Sequence, residues 1–417
     1  MNINTAKLIT VAVSLSMFGF AVSPLSFAGY YIVLRPLVQP FGTLKYTMGG
    51  GIPLTSIFSI LLIIFAFFNS LRNLKRLVPG NILLLYIFCF FAIISLADSP
   101  SVVISFGHML KMLTAVAMYL LIYNNIDTIK DVRKILTCYL LSAVIPLMFG
   151  FYQYITKTAH AWENGLGGTR IDSVLGQPNA YGEYLAVLIC VLIVCFFYKK
   201  LNYNKWVLIM FSLAVTVSFV LSLNRGSWIA LFTGALFATV WYKRHVKPFL
   251  IIAGIAVFIL ITSPILIERF IELTQKTEFG SKNTLLSRVN YWDNMFNLLM
   301  ERPFLGYGLG TAGTTSLVNY VPHNDYLRLA FETGIPTTFL YMMFLFKEFL
   351  DHIRRVKTKI FGIIHYSVFV LLVYFIVLSF FQNIVYNQVV FPMVLGLFAM
   401  SARLHDLERS GMIKAGT

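Results

Sequence analysis

Uncharged apolar stretches, mostly 17 to 24 residues long, recur along almost the whole chain. As a helix, a stretch of that length crosses a hydrocarbon core of about 30 Å. In lipid every backbone amide and carbonyl must find its partner within the protein, so only helices and closed barrels can span. The alternating pattern of barrel strands is absent, and the expectation is an all-α polytopic membrane protein. Composition agrees. Hydrophobic residues make up 58% of the 417 and charged residues 12%, about half the charge needed to wet a soluble domain. A soluble globular enzyme, a disordered chain and a disulfide scaffold are excluded. Cys89, Cys138, Cys190 and Cys195 all sit inside apolar stretches and read as small core residues, with no metal or disulfide spacing.

About twelve spans fit: 8–29, 53–69, 80–97, 102–123, 135–155, 180–198, 205–223, 226–242, 248–262, 326–350, 361–381 and 384–402. The first could pass for a signal peptide, but Pro24 and Arg35 follow without a small-residue cleavage site, so it is read as a span. The net charge of +16 does not indicate nucleic acid, because the basic residues lie in short clusters between spans. With the N-terminus cytoplasmic, 21 of the 33 Lys and Arg fall in the shorter inside segments. That bias puts both termini inside. The chain 1–417 reads as one integral membrane domain, with 156–179 and 263–325 as long outer loops. Within the second, about 281–300 reads as an amphipathic helix, with Leu285, Val289, Trp292, Phe296 and Leu299 on one side. A glycine turn (Gly306, Gly308, Gly310, Gly313) follows, and loops this long are usually functional.

Arginines that the positive-inside bias would not place outside are the informative ones: Arg170, Arg225, Arg288, Arg302 and Arg328. Arg225 sits in a turn of about two residues between very apolar helices, where a turn needs Gly or Asn but not Arg. It is an anion ligand or a side chain snorkelling to headgroups. Arg170 follows a glycine run and could be plain solvated loop. Arg288 projects from the amphipathic helix, and Arg302 suits a helix end. Arg328 lies just inside the tenth span, where charge is costly and marks a site by default, although Glu332 at i+4 could simply pair with it. At the mouth of that span stands Pro322-His323-Asn324-Asp325-Tyr326-Leu327. Asn324 or Asp325 can cap the helix. His323 is not needed for capping and is suited to taking a proton from an attacking hydroxyl, or it is merely solvated. His108 and Lys111, one turn apart in the fourth span, either line a cavity or bond to neighbouring helices.

No Asp-x-Asp, Asp-Asp-x-x-Asp or His-x-x-x-His occurs. A diphosphate would have to be neutralised by arginines rather than by Mg²⁺ on paired carboxylates, so no metal and no cofactor are expected. A phosphate-binding glycine loop is also missing. An outward site has no nucleotide sugar within reach, so its donor must arrive activated and membrane-borne.

The residues Ser287-Arg288-Val289-Asn290-Tyr291-Trp292, then Arg302-Pro303-Phe304-Leu305-Gly306-Tyr307-Gly308-Leu309-Gly310, then Pro322-His323-Asn324-Asp325-Tyr326-Leu327 with Glu332-Thr333-Gly334, resemble the bacterial O-antigen ligase/polymerase family. Leu221-Ser222-Leu223-Asn224-Arg225-Gly226-Ser227-Trp228 is similar to its S-x-S-R-G turn, with Asn224 where Ser is usual. Thr169-Arg170 through Gly176-Gln177-Pro178-Asn179-Ala180 is similar to its arginine and P-N segment. The motifs cover roughly 165–340, and their order and spacing are more specific than any one of them.

The resemblance implies a metal-independent, inverting glycosyltransferase in the bacterial inner membrane. It would take a glycan from undecaprenyl diphosphate at the periplasmic face. Arg225 and Arg288 would hold the diphosphate with Arg170 nearby, and His323 would orient or deprotonate the acceptor hydroxyl. Arg328, Asn324, Asp325, Arg302, His108 and Lys111 are accessory candidates. The family contains ligases, which pass a finished glycan to lipid A–core, and polymerases, which pass it to another lipid-linked glycan. The compact chain with one large loop favours a ligase. A lipid-linked oligosaccharide flippase is the alternative of another class. It would show paired repeats and midplane charges, whereas these cations gather at one face. A peptidoglycan polymerase would need a carboxylate-centred loop that is not evident.

Overall fold

A computed structural model describes residues 23–40, 54–72, 79–99, 101–161, 169–243, 284–314, 320–355 and 360–412, together with Leu250, Gly254, Val318 and Thr358. Thirteen helices occur among the described residues. They are α1 (Pro24–Val38), α2 (Leu54–Leu71), α3 (Ile82–Ile94), α4 (Val102–Asn125), α5 (Ile129–Thr156), α6 (Pro178–Phe197), α7 (Lys205–Leu221), α8 (Arg225–Trp241), α9 (Thr284–Glu301), α10 (Asp325–Thr333), α11 (Ile335–Arg355), α12 (Gly362–Leu378) and α13 (Val390–Arg409). One two-residue antiparallel pair, His160–Ala161 with Thr169–Arg170, is the only sheet among them. Four helices, α4, α5, α6 and α13, are long and apolar enough to cross a membrane, and α2, α3, α7 and α12 are apolar but shorter. The protein is a helical integral membrane protein. A count of twelve crossings is not established.

The interior follows from which helices are apolar all round. The pairs α12–α8, α12–α6 and α13–α4 pack together at the centre, and Tyr366, Phe369, Tyr374, Phe398 and Met400 are fully buried there. A helix without a polar face is buried on every side or faces lipid. The outer helices take the second course: Phe67, Phe90, Met148, Met210 and Phe237 stand exposed on α2, α3, α5, α7 and α8. Close backbone contact between α8 and α12 requires Gly234, where a Cβ would lie 2.4 Å from the Val370 carbonyl oxygen.

Several expected boundaries change. The first span, expected at 8–29 or as two shorter pieces around Pro24, lies mostly outside the described residues, and the described helix α1 starts at Pro24 and buries Arg35 in its last turn. Residues 1–22, most of the ninth span (248–262) and the loop up to 283 lie outside the described residues. The single span expected at 326–350 is two helices. Gly334, at φ +86, breaks the run between α10 and α11. The amide of Ile335 there donates to the Pro303 carbonyl at 2.8 Å. A Cβ at Gly334 would sit 2.0 Å from the Phe304 carbonyl oxygen, so only glycine permits the approach. The last span begins at Val390 rather than 384, because Asp325 and Asn387 capture the amides before it. Asp325 Oδ2 accepts from Ile384 and Val385, and Asn387 Oδ1 accepts from Val389 and Val390. Residues 379–389 form an irregular segment instead.

Candidate active site

The starts of α6, α8 and α10 and the end of α12 meet at one end of the bundle. The turn between α7 and α8 comes first. Asn224 caps α8, its Oδ1 accepting from the Ser227 amide at 3.2 Å, and its Nδ2 donates to the Asn179 carbonyl at 2.9 Å. Leu223 before it is held at φ +51, which costs a non-glycine residue roughly 1–2 kcal/mol. Gly182 lets α6 lie against this turn, since a Cβ there would be 2.8 Å from Asn224 Cβ. Arg170 ties the pieces together. Its Nε donates to the Ser222 carbonyl at 3.1 Å and its Nη2 to Asn179 Oδ1 at 2.8 Å. Asn179 in turn donates to Gln382 Oε1 at 3.5 Å. Arg225 is thereby fixed at the first turn of α8, where the helix N-terminus adds positive potential.

The helix α9 delivers the next cation. Trp292 Nε1 donates to the Pro322 carbonyl at 2.7 Å, and Tyr291 stacks on Tyr320 with ring centroids 4.0 Å apart. Arg288 Nη1 donates to the Phe381 carbonyl at 3.3 Å. Its docking on 320–322 also places His323, which adopts φ +51. Asn324 caps α10 through the Leu327 amide at 3.0 Å. Asp325 is fully buried, and its Oδ2 accepts from Ser379 Oγ at 3.1 Å besides the Ile384 and Val385 amides. Asn324 and Asp325 therefore hold the loop and α10 in place.

Arg288 lies within Coulombic reach of Arg225, and burial together with that neighbour lowers its pKa. His323 falls to about 4, chiefly by burial and then by Arg288 and Arg328, while a hydrogen bond that the ring donates to Gln382 pulls the other way. Its imidazole is neutral at physiological pH, the form that accepts a proton.

The cations expected to act together are not all together. Arg170 is linked to His323 through Asn179 and Gln382, and Arg288 lies within Coulombic reach of both Arg225 and His323. Arg328 is paired with Glu332 at 3.0 Å and lies 3.8 Å over the Tyr386 ring, whose hydroxyl donates to Glu332 Oε2 at 2.6 Å. His108 meets Tyr386 edge-on at 5.0 Å, and Lys111 is Coulombically coupled to Arg328 and Glu332. Arg302 is exposed and rests over Tyr307 at 5.0 Å, at the far end of α9. The sequence singles out neither Gln382 nor Tyr386; it offers Asn179 only as part of a motif and Arg35 only as a mark against signal cleavage. Gln382 falls between the expected spans 361–381 and 384–402, where a polar residue carries no signal. Among the described residues no group of three His, Cys, Asp or Glu is placed to hold a metal ion.

A many-helix integral membrane protein with clustered arginines and a neutral histidine at one end is the class that fold and site define. Residues 210–342, which include Arg225, Arg288, His323 and Glu332, match the O-antigen ligase family. The family resemblance of the motifs is thus shown over that segment. The chain is 22% identical over 191 residues to the ComP-specific O-oligosaccharyltransferase of Acinetobacter baylyi, covering 45% of this chain and 34% of that protein. It is 26% identical over 192 residues to a Rickettsia conorii protein named "Putative polysaccharide ligase", covering 41% of this chain and 44% of that protein. The match therefore spans less than half the length of either relative.

Proposed function

We propose that the protein is an O-antigen ligase-type glycosyltransferase of the bacterial inner membrane, working at the periplasmic face with both termini cytoplasmic. The donor is a glycan on undecaprenyl diphosphate and the acceptor a hydroxyl of lipid A–core. Arg225 and Arg288, with Arg170 behind them, hold the diphosphate, since guanidinium forks match phosphate oxygens and remain charged. His323 takes the proton of the acceptor hydroxyl. The oxygen attacks the anomeric carbon, the carbon–oxygen bond to phosphate breaks, and its electron pair leaves with the diphosphate under the two arginines. Attack opposite the leaving group inverts the configuration.

The observation that carries this reading is the docking of the Arg288 helix on the His323 loop, through Trp292 and the Pro322 carbonyl, with Arg288 itself on the Phe381 carbonyl. The sidedness rests on charge. Lys130, Arg133, Lys134, Lys199, Lys200, Lys205, Arg354, Arg355 and Arg409 all lie at the opposite end of the bundle, the pattern of cytoplasmic ends. Both relatives carry names of enzymes that transfer or ligate glycans, which favours a ligase over a polymerase. The test is transfer by purified protein given lipid-linked glycan and lipid A–core, with and without EDTA. Transfer with release of undecaprenyl diphosphate, unaffected by chelation, is expected. Movement of the donor across the bilayer without release would identify a flippase, and loss on chelation restored by Mg²⁺ would refute the arginine-only diphosphate site.

A further inference from the structure

A second group of cations, apart from Arg225 and Arg288, comes from α1, α4 and α10. Arg35, from the last turn of α1, is 1% exposed. Its Nη2 donates to Gln388 Oε1, but Nε and Nη1 have no hydrogen-bond partner of good geometry; their nearest polar neighbour is the Tyr31 hydroxyl, which interacts with the guanidinium and with Ser59. Lys111 of α4 is Coulombically coupled to both Arg35 and Arg328. His108, one turn before it, leaves Nδ1 buried and unpartnered. The glycine turn closes over this ring, since a Cβ at Gly310 would come 2.7 Å from His108 Cδ2.

The local acids do not balance these charges. Glu332 Oε1 accepts from Arg328 Nε at 3.0 Å and the Ala312 amide at 3.2 Å, and Oε2 accepts from Tyr386 at 2.6 Å. Asp325 spends Oδ2 on Ser379, Ile384 and Val385 and couples to Arg328. Neither forms an ion pair with Arg35 or Lys111 among the described residues. Position near the C-terminus of α1 favours a cation at Arg35, and Gln388 accounts for one nitrogen. Two buried guanidinium nitrogens without a partner of good geometry remain unfavourable, and an anion would satisfy them. His323 feels both Arg288 and Arg328.

We propose that Arg35, Lys111 and Arg328, with the unpartnered His108 ring, form a second anion subsite that takes a phosphate carried by the acceptor. This rests on the transferase reading above and adds the acceptor's chemistry to it. Donor diphosphate and acceptor phosphate would then both bind near His323. The phosphate could belong to a phosphorylated glycolipid such as lipid A–core or to a second polyprenyl-diphosphate glycan, and the test separates them.

Full-length protein in nanodiscs is assayed with saturating donor and three varied acceptors: a phosphorylated glycolipid, its phosphatase-treated form and a polyprenyl-diphosphate glycan. Arg35→Gln and Lys111→Met are expected to raise the KM of one phosphate-bearing acceptor about 10-fold or more, the scale of losing a charged hydrogen bond. Donor KM should not move. The acceptor that suffers identifies the source. With phosphatase-treated acceptor the wild type should already be weak and the variants no weaker, while Arg35→Lys should retain part of the affinity. Equal losses on phosphorylated and dephosphorylated acceptor, no loss on any acceptor, or a shift in donor KM alone would overturn the subsite. If the wild type transfers nothing, the transferase reading fails by itself. Thermal stabilisation by the phosphorylated glycolipid then decides the subsite. It should be seen in wild type and Arg225→Ala but lost in Arg35→Gln; equal stabilisation of wild type and Arg35→Gln would contradict it.

Discussion

Trp292 Nε1 donates to the carbonyl of Pro322 at 2.7 Å, one residue before His323. A helix that carries a cation, Arg288, is thereby locked to the loop that carries the histidine. The two groups move as one unit or separate together. Trp292→Phe keeps the ring and removes the donor, leaving a partly buried carbonyl unsatisfied, a loss of roughly 1–3 kcal/mol. Transfer should fall about 10-fold or more while expression and membrane insertion stay normal. Wild-type kinetics in this variant would show that α9 does not position the site.

The pH profile has a defined direction. A base must be deprotonated, so activity falls as pH drops through its pKa. Burial and the nearby arginines bring His323 down to about 4. The acid limb of kcat/KM, which reports the free enzyme, should therefore lie well below the roughly 6.5 of an ordinary histidine. Removing a neighbouring cation relieves the depression, so Arg288→Gln should move the limb towards neutrality. Bound diphosphate acts in the same direction, placing the limb of kcat above that of kcat/KM. A limb unmoved by Arg288→Gln would mean that another group titrates.

Gly334 separates α10 from α11 in a conformation, φ +86 and ψ 161, that is essentially restricted to glycine. Gly334→Ala adds a Cβ 2.0 Å from the Phe304 carbonyl oxygen, so the α10–α11 break or the Pro303–Phe304 turn must shift. A cost on the order of 1–3 kcal/mol or more is expected, read as a lower melting temperature of the purified protein with transfer reduced in parallel. An unchanged melting temperature would contradict the tight approach.

Much of the helical architecture was legible, because apolar runs of spanning length are unambiguous in Val102–Asn125, Ile129–Thr156 and Pro178–Phe197. Hydropathy failed where polar contacts interrupt an apolar run without changing its composition. The α10–α11 break left a signal in Gly334-Ile335-Pro336, a stop pattern hidden inside a hydrophobic stretch. The 379–389 segment left almost none, since Asp325, more than fifty residues earlier, captures the amides that prevent a helix there. At the site, residue types out of place were visible: Arg225 in a tight turn and His323 beside a cap. Their surroundings were not, because Gln382 reaches His323, and Asn179 the cap residue Asn224, only through tertiary packing. Arg35 was read only as a mark against signal cleavage, and its burial depends on where α1 begins.

The division of labour between Arg225, Arg288 and His323 is tested by measuring donor binding and turnover side by side in Arg225→Ala, Arg288→Ala and His323→Ala, reconstituted at equal levels. The arginine variants should bind lipid-linked donor more weakly and lose about 10²-fold or more in rate, the scale of removing a preorganised charge-stabilising donor. Arg→Lys should rescue only in part. His323→Ala should bind donor nearly as well as wild type yet turn over about 10²- to 10⁴-fold more slowly. Normal turnover in the arginine variants, together with lost donor binding in His323→Ala, would contradict the assignment.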